Sequence, residues 1–291
     1  MNANPAKLPR LTQARAPLTL AIEALDERGQ TCALSIPAER ALTVYVDKQE
    51  LITLMTLGAH PEWLVLGYLR NQRLIEAVGQ IESITVDWEA GDAGAGVAAI
   101  KTRGLANDWS ERTQKRIVTT GCGQGSLFGC AMQDLADLQL PETRLSQGRL
   151  YKVLEQMRQL ETTYKSSGSV HGCALFDGER LCLFIEDVGR HNAIDTIAGW
   201  LWMQETSAQP SDPLFYTTGR LTSEMVLKAA QMGVPLVVSR SGITQMGFEM
   251  AQSLGLCTVG RAINRHFLCY SGQHRFVSQP NLSPPHIERS A

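Results

Sequence analysis

Residues 214–259 read LFYTTGRLTSEMVLKAAQMGVPLVVSRSGITQMGFEMAQSLGLCTV, and they carry the clearest indication of the fold class. Its short apolar runs predict three strands, Leu214–Thr217, Pro235–Ser239 and Leu256–Val259. The segments between them, Ser223–Gln231 and Thr244–Leu254, predict helices. Strands that alternate with helices form a parallel sheet covered by helices, so the stretch predicts an α/β fold.

The chain before this stretch adds a hairpin, which makes the predicted sheet mixed. Residues 173–185 read as two strands around Asp177-Gly178, a dipeptide that supplies the positive φ angle of a tight turn. A helix is predicted from about His191 to Met203, and a long amphipathic helix over Ser146–Tyr164. Together with the parallel strands, these elements form a predicted domain over residues 113–278.

A smaller α+β subdomain is predicted over residues 30–112. It combines strand-like runs with one helical segment that begins at a proline: strands Ala41–Val46, Ser83–Trp88 and Val97–Thr102, and helix Pro61–Gln72. The two ends of the chain, residues 1–29 and 279–291, are predicted to be disordered tails.

The composition argues against several classes of function. The 291 residues carry a formal net charge of −2, which gives no general attraction to nucleic acid or to an anionic membrane. No apolar run approaches the roughly 18 residues of a membrane span, and the first residues lack the apolar core of a signal peptide. The seven cysteines are irregularly spaced. We therefore expect a reduced, cytoplasmic protein.

The segment Gly121–Ser126, GCGQGS, sets Cys122 between glycines directly after the strand-like run Arg116–Thr120. Structural cysteines usually sit among apolar neighbours, whereas glycines give this backbone wide conformational freedom. A thiol on such a loop can reach one partner and then another, as covalent carriage of a group requires. Cys122 is therefore the candidate catalytic residue. The alternative is a cysteine that merely occupies a tight turn.

Three polar segments, 186–192, 217–224 and 239–244, each follow a predicted strand and open a predicted helix. Ligands of open α/β sheets bind beyond the carboxyl ends of the strands, where helix N-termini offer N–H groups to anions. Each segment also carries an arginine, the side chain best matched to phosphate. The three together predict a phosphate-bearing ligand, although ordinary helix caps with surface arginines are the alternative.

Two histidines are further candidates. His191 and Asp195 share one helix face, so His191 is either an oriented imidazole beside the ligand or half of a pair that satisfies itself. His171 ends a Ser/Gly-rich loop, where it either contacts a substrate or Cys122 or has a structural role. Metal chemistry lacks its ligands, because the sequence contains no Cys-x-x-Cys pair and no zinc-deaminase signature.

Five motifs stand in order along the chain: TTGCG at 119–123, VHG at 170–172, EDVGRHNAID at 186–195, TGRLTSEMV at 218–226 and PLVVSRS at 235–241. Together they closely resemble the FdhD family of accessory sulfurtransferases for formate dehydrogenase. The resemblance runs from about Ala38 to Tyr270, and the motif at 186–195 is its most specific part.

The resemblance implies a cytidine-deaminase-like α/β fold without zinc, a small N-terminal subdomain and a homodimer. It implies that Cys122 accepts persulfide sulfur from a cysteine desulfurase. The sulfur then passes to the molybdenum cofactor, bis(molybdopterin guanine dinucleotide), which enters the catalytic subunit of formate dehydrogenase. The implied cofactor pocket is lined by His171, Asp187, Arg190, His191, Arg220, Ser239 and Arg240.

Two departures from the family pattern matter. Gly125 stands where well-studied members have the second cysteine of a Cys-x-x-Cys loop, so a single-cysteine mechanism is required unless Cys130 substitutes. The family segment that contacts the cofactor, resembling Gly-Phe-x-Arg-x-x-Arg, corresponds here to residues 260–266, where the arginines are displaced. The displaced arginines either still contact phosphate or alter the preference for the cofactor or the client. The cofactor contacts predicted in this segment are Arg261, Ala262, Ile263, Asn264, Arg265 and His266.

Two other functions compete with sulfur transfer. A chaperone that escorts the molybdenum cofactor without thiol chemistry needs the pocket but not Cys122. A zinc-dependent deaminase needs metal ligands that the sequence lacks. Sulfur transfer is favoured because a glycine-flanked cysteine has little purpose in a pure escort.

Overall fold

The structure is a computed structural model that describes residues 8–91, 95–105, 138–160, 163–204 and 208–282, together with the backbone of 117–118 and 125–126. The chain forms two compact units. Unit 1 comprises residues 1–137, 162–173 and 184–209, and unit 2 comprises residues 138–161, 174–183 and 210–291.

Unit 1 is built on a five-stranded mixed sheet. In pairing order, its strands are β1 (Arg10–Leu11), β6 (Ile81–Asp87), β7 (Gly96–Thr102), β4 (Arg40–Val46) and β5 (Gln49–Thr56). Asp47 and Lys48 join β4 to β5 with φ angles of 48° and 72°, as a type I′ turn requires. Alternate residues of β4 (Leu42, Val44 and Val46) are buried in the core of this unit.

An antiparallel hairpin lies within the predicted tail over residues 1–29 and beyond it. β2 (Thr19–Leu25) pairs with β3 (Thr31–Pro37), and β1 pairs with β6. The prediction of disorder is therefore wrong for the strands of this segment. Asp26 closes the turn, because its Oδ1 accepts backbone N–H hydrogen bonds from Arg28 at 2.9 Å and from Gln30 at 2.8 Å.

The described part of unit 1 forms three α-helices, α1 (Pro61–Asn71), α3 (Thr163–Ser167) and α4 (Arg190–Trp202). α1 and α4 pack against each other at two glycines. A Cβ atom on Gly67 would lie 1.7 Å from the carbonyl oxygen of Asp195, and one on Gly199 would lie 1.9 Å from that of Trp63. The two helix backbones therefore approach more closely than any larger residue permits.

Most of a six-stranded sheet belongs to unit 2. Its order is β12 (Arg180–Asp187), β11 (His171–Asp177), β13 (Pro213–Thr217), β14 (Leu236–Ser239), β15 (Cys257–Ile263) and β16 (His266–Ser271). β13, β14 and β15 are parallel, and β16 is antiparallel to β15. Every residue of β13 and β14 is buried, as expected for parallel strands covered on both faces.

The helices of unit 2 are α2 (Gln147–Gln159), α5 (Ser223–Gln231) and α6 (Gln245–Ser253). The predicted single helix over 146–164 is too long. It begins as expected, because the Ser146 side chain accepts the backbone N–H of Arg149 at 3.1 Å as an N-cap. It ends at Gln159, because Leu160 is extended, with φ −60° and ψ 130°.

The carboxyl-terminal residues pack on the start of α2. β17 (Phe276–Val277) pairs in parallel with β10 (Leu145–Ser146). The backbone N–H of Gln279 donates to Oε1 of Gln147 at 2.9 Å. The predicted tail over 279–291 is therefore wrong at its first residues, since buried Gln147 gives this segment a partner.

The predicted fold class, α/β with a mixed sheet and flanking helices, is confirmed. The domain boundaries at residues 30, 113 and 279 remain predictions. α4 is grouped with the N-terminal sheet because it packs on α1. Among the described helices, none has the length and apolar character that crossing a membrane requires.

Candidate functional site

The carboxyl ends of β13, β14 and β15 lie along one edge of the unit 2 sheet. Thr217 is level with Ser239 on the neighbouring strand, and Val238 is level with Val259. Parallel strands in this arrangement are buried along their length, and the polar loops that follow them lie together at this edge. The sequence therefore brings two of the three predicted anion-binding segments to one place.

Hydrogen bonds join the loops at this edge to each other. The Ser239 hydroxyl donates to the carbonyl oxygen of Gly219 at 2.6 Å and accepts the N–H of Ser241 at 2.9 Å. The N–H of Leu221 donates to the carbonyl oxygen of Gly242 at 2.9 Å. Ser239 is fully buried, so its hydroxyl fixes the shape of the edge.

A cleft of about 760 Å³ opens at the same edge. Tyr216 near the end of β13, Arg240 after β14 and the turn after β15 contribute to it, and residues 151–158 of α2 supply most of the remaining lining. The full lining is Tyr151, Lys152, Leu154, Glu155, Gln156, Met157, Arg158, Tyr216, Arg240, Ala262, Ile263, Asn264 and Arg265. Four of these side chains are cationic and one is a carboxylate. Lys152 is paired with Glu179 at 2.9 Å and Arg158 with Glu155 at 2.8 Å, so Arg240 and Arg265 carry most of the attraction of the cleft for an anion.

Five of the predicted cofactor contacts line this cleft, namely Arg240, Ala262, Ile263, Asn264 and Arg265. Asn264 has a φ angle of 56° at the tight turn into β16, a conformation that asparagine tolerates. Four other predicted contacts of unit 2, Arg220, Ser239, Arg261 and His266, do not line it.

The lining includes seven side chains of α2 that were not predicted as site residues. Tyr151, Glu155 and Arg158 stand four and three residues apart, so they share one helix face. Lys152 adjoins them. The signal was present as a polar stripe opposite the apolar stripe of the helix. It did not indicate a site, because helix spacing alone does not say what the polar stripe faces.

The remaining predicted residues belong to unit 1. Asp187, Arg190 and His191 are buried where β12 leads into α4, and His171, at the start of β11, is half-buried. Asn192 and Asp195 are also buried in this part of unit 1, and the Nδ2 of Asn71 donates to Oδ1 of Asp195 at 2.7 Å. The 186–195 motif is therefore largely internal.

Asp187 is held by four hydrogen-bond donors. Its carboxylate accepts from the Thr56 hydroxyl at 2.5 Å, the N–H of Leu57 at 3.0 Å, the N–H of Gly189 at 3.0 Å and Nδ2 of Asn192 at 2.8 Å. Burial raises the pKa of this carboxyl above its ordinary value, and the hydrogen bonds oppose that rise. Asp187 thus fastens the start of α4 to the end of β5.

We expect Asp187→Asn to lower the free energy of unfolding by about 3 kcal/mol, because an amide nitrogen would face donors in a buried site. Urea denaturation followed by circular dichroism measures the loss. The matched control is Asp87→Asn, since Asp87 is exposed and, among the described residues, accepts only the N–H of Glu89, at 2.9 Å. That change should cost less than about 0.5 kcal/mol. Equal losses in the two variants would contradict the role given to Asp187.

The predicted catalytic residue Cys122 and the possible second thiol Cys130 lie outside the described residues. The backbone on either side of Cys122 is described. β8 (Ile117–Val118) pairs antiparallel with β9 (Gly125–Ser126), and Val118 is level with Gly125. The last two residues of the GCGQGS segment therefore belong to this short ladder.

A resident metal has no evident ligands in the part of the chain that the structure describes. No group of three or more His, Cys, Asp or Glu side chains is arranged there to hold an ion. The described cysteines, including exposed Cys32 and buried Cys173 and Cys257, form no disulfides.

Comparison with known proteins identifies relatives along most of the chain. The sequence profile of the FdhD/NarQ family matches residues 37–277. The chain is 32% identical over 239 residues to the sulfur carrier protein FdhD of Bacillus subtilis (strain 168), covering 81% of this chain and 88% of that protein. It is 29% identical over 247 residues to the sulfur carrier protein FdhD of Listeria innocua, covering 84% of this chain and 92% of that protein.

A solved structure shares the fold. The chain is similar to the crystal structure of a proposed formate dehydrogenase accessory protein from Desulfotalea psychrophila, with a TM-score of 0.69 and 21% identity. The match covers 90% of this chain and all of the other.

Proposed function

Because this chain belongs to the FdhD/NarQ family, we propose that it is a sulfur carrier for formate dehydrogenase whose Cys122 holds the sulfur as a persulfide. The thiolate of Cys122 attacks the outer sulfur of a persulfide on a cysteine desulfurase. The S–S bond of the donor breaks, and the donor cysteine leaves as a thiolate. The outer sulfur of the Cys122 persulfide then passes to the substrate, bis(molybdopterin guanine dinucleotide). The S–S bond breaks, Cys122 is left as a thiolate, and reduced molybdenum of the substrate supplies the two electrons that convert sulfane sulfur to sulfide. The catalytic subunit of formate dehydrogenase then receives the sulfurated cofactor.

The observation that carries the proposal is the basic cleft at the carboxyl edge of the unit 2 sheet. Its volume of about 760 Å³ is of the size that small-molecule and cofactor sites have. Tyr216 offers aromatic surface, and Arg240 and Arg265 offer guanidinium groups. These groups suit the base and the phosphates of a guanosine dinucleotide.

The proposal also includes partners and a setting. The donor is a cysteine desulfurase and the recipient is formate dehydrogenase, so the protein works in the cytoplasm, where these partners would meet it. We further propose a homodimer, in keeping with the family. The competing function, an escort of the cofactor without thiol chemistry, would use the same cleft but would leave Cys122 unmodified.

Intact-protein mass spectrometry tests the thiol step. The protein is incubated with a cysteine desulfurase and cysteine, and its mass should rise by one sulfur atom. Peptide mapping should place that atom on Cys122. A protein that binds the cofactor but never gains sulfur would support the escort instead.

Binding measurements test the cleft. We expect Arg240→Ala to weaken binding of GDP, a probe for the guanosine diphosphate end of the cofactor, by about tenfold, because a charge-assisted hydrogen bond is lost. Isothermal titration calorimetry at two salt concentrations measures the change, and the wild type should lose more affinity in high salt. Arg144→Ala is the matched control, since Arg144 is exposed but does not line the cleft. Equal effects of both changes would contradict the assignment of the cleft.

A further inference from the structure

Arg265 is an exposed arginine that is nevertheless restrained at the cleft. Its guanidinium lies over the ring of Tyr151, 5.7 Å from the centroid. Its Nη1 donates to the carbonyl oxygen of Leu282 at 3.2 Å. The Tyr151 hydroxyl donates to the backbone carbonyl oxygen of Arg265, also at 3.2 Å. Both the backbone and the charged end of Arg265 are therefore held.

The restraint continues into the carboxyl-terminal segment Gln279–Leu282. Nε2 of Gln147 donates to the Tyr151 hydroxyl at 2.8 Å, and Oε1 of the same side chain accepts the N–H of Gln279 at 2.9 Å. Oε1 of Gln279 in turn accepts the N–H of Gly148 at 2.9 Å. The segment that ends at Leu282 is thereby fixed to the first turn of α2, which also carries Tyr151.

We propose that Tyr151 and the segment Gln279–Leu282 position Arg265 as an anion-binding group of the cleft, which takes a diphosphate-bearing ligand. This inference rests on the proposed function of the cleft. Arg265 binds the phosphate, whereas Tyr151 and the segment act through Arg265. They are positioning residues.

The physical reason is preorganisation. A free arginine side chain loses rotamer entropy when it is fixed, and a group that is already restrained loses less on binding. Arginine has five N–H donors, and Leu282 uses only one of them. The others stay available to phosphate oxygens, and stacking on a ring leaves the edge of the guanidinium free.

The positions of the arginines in this chain fit the same role. Arg261 precedes the turn, has a φ angle of 49° and does not line the cleft. Arg265 follows Asn264 in the turn and lines the cleft. Of the two arginines in residues 260–266, Arg265 is therefore the one that lines the cleft. Tyr151 and Leu282 hold its guanidinium.

A double-mutant cycle on GDP affinity tests the inference, with isothermal titration calorimetry as the measurement. Arg265→Ala should weaken binding about tenfold, and Tyr151→Leu about threefold to tenfold. Tyr151→Phe keeps the ring under the guanidinium and should recover most of the loss. In the Arg265→Ala background, Tyr151→Leu should have no further effect, because a positioning residue has nothing left to position.

Two controls separate positioning from damage to the fold. Phe267→Leu changes a ring that contacts Tyr151 edge-on at 6.2 Å but does not line the cleft, and it should leave GDP affinity unchanged. Deletion of residues 279–291 should weaken binding as Tyr151→Leu does, and it should also have no further effect once Arg265 is alanine.

The outcomes distinguish the inference from the function on which it rests. Additive losses from Tyr151→Leu and Arg265→Ala overturn the positioning role while leaving the cleft as the ligand site. A wild-type protein that does not bind GDP overturns the inference together with the ligand assignment. In that case sulfur loading of Cys122 would still show whether the thiol step survives.

Discussion

The Cys122→Ser protein is expected to gain no sulfur from a charged cysteine desulfurase and to leave formate dehydrogenase activity at background in cells that depend on it. A serine hydroxyl has no accessible anion that could attack a persulfide, so the first bond cannot form. The same protein should still bind GDP, because the basic cleft belongs to unit 2. The measurements are intact mass after loading, GDP affinity, and formate-dependent dye reduction in complemented cells.

Two matched variants accompany this change. Cys32→Ser removes an exposed thiol and should load sulfur and restore activity like the wild type. Cys130→Ser removes the thiol that could replace the second loop cysteine, whose position Gly125 occupies. This variant should also be active if Cys122 alone suffices. Restoration of dehydrogenase activity by Cys122→Ser would show that the covalent mechanism is wrong.

Gly67→Ala is expected to lower the free energy of unfolding by about 3 kcal/mol or more, because the new methyl group would overlap a helix backbone. Its Cβ would lie 1.7 Å from the carbonyl oxygen of Asp195, and neither α1 nor α4 can yield without separating. Helix propensity predicts the opposite sign, since alanine favours a helix over glycine by about 1 kcal/mol. Urea denaturation of the purified protein therefore decides between packing and propensity.

Gly148→Ala is the control for this prediction. Gly148 also lies in a helix, but its Cβ would meet only the ends of the Gln279 and Leu282 side chains, at 3.2 and 3.4 Å. The change in the free energy of unfolding should stay within about 1 kcal/mol of zero. If Gly67→Ala proved as stable as Gly148→Ala, α1 and α4 could not cross at the described distance.

The parallel strands and their helices were predictable because their signal is local. β13 and β14 are continuous apolar runs, and α5 and α6 begin after capping residues, so each element is recognisable without its neighbours. The hairpin β2–β3 was missed because the composition of the first residues suggested disorder.

The site was predictable in part. The loop after β14 is recognisable in the sequence, since Arg240 follows a buried strand and precedes a helix. Tyr151 and Arg158 could not be assigned, because their role depends on where α2 lies relative to β13–β15. The 186–195 motif also has a different role from the one predicted, since its residues were expected to line the cofactor pocket. Asp187 and Asn192 are bound to each other and to the backbone of unit 1, which a motif match does not reveal.

The hydrogen bonds between the loops at the carboxyl edge of the unit 2 sheet affect how fast the proposed ligand can bind. Ser239 ties Gly219 to Ser241, and Leu221 is bound to Gly242. These loops are already held to one another, so we expect little loop entropy to be lost when an anion binds beside them. Capture can then proceed at a pace set by diffusion and by the pull of the surrounding positive charge, rather than by a slow rearrangement of the protein.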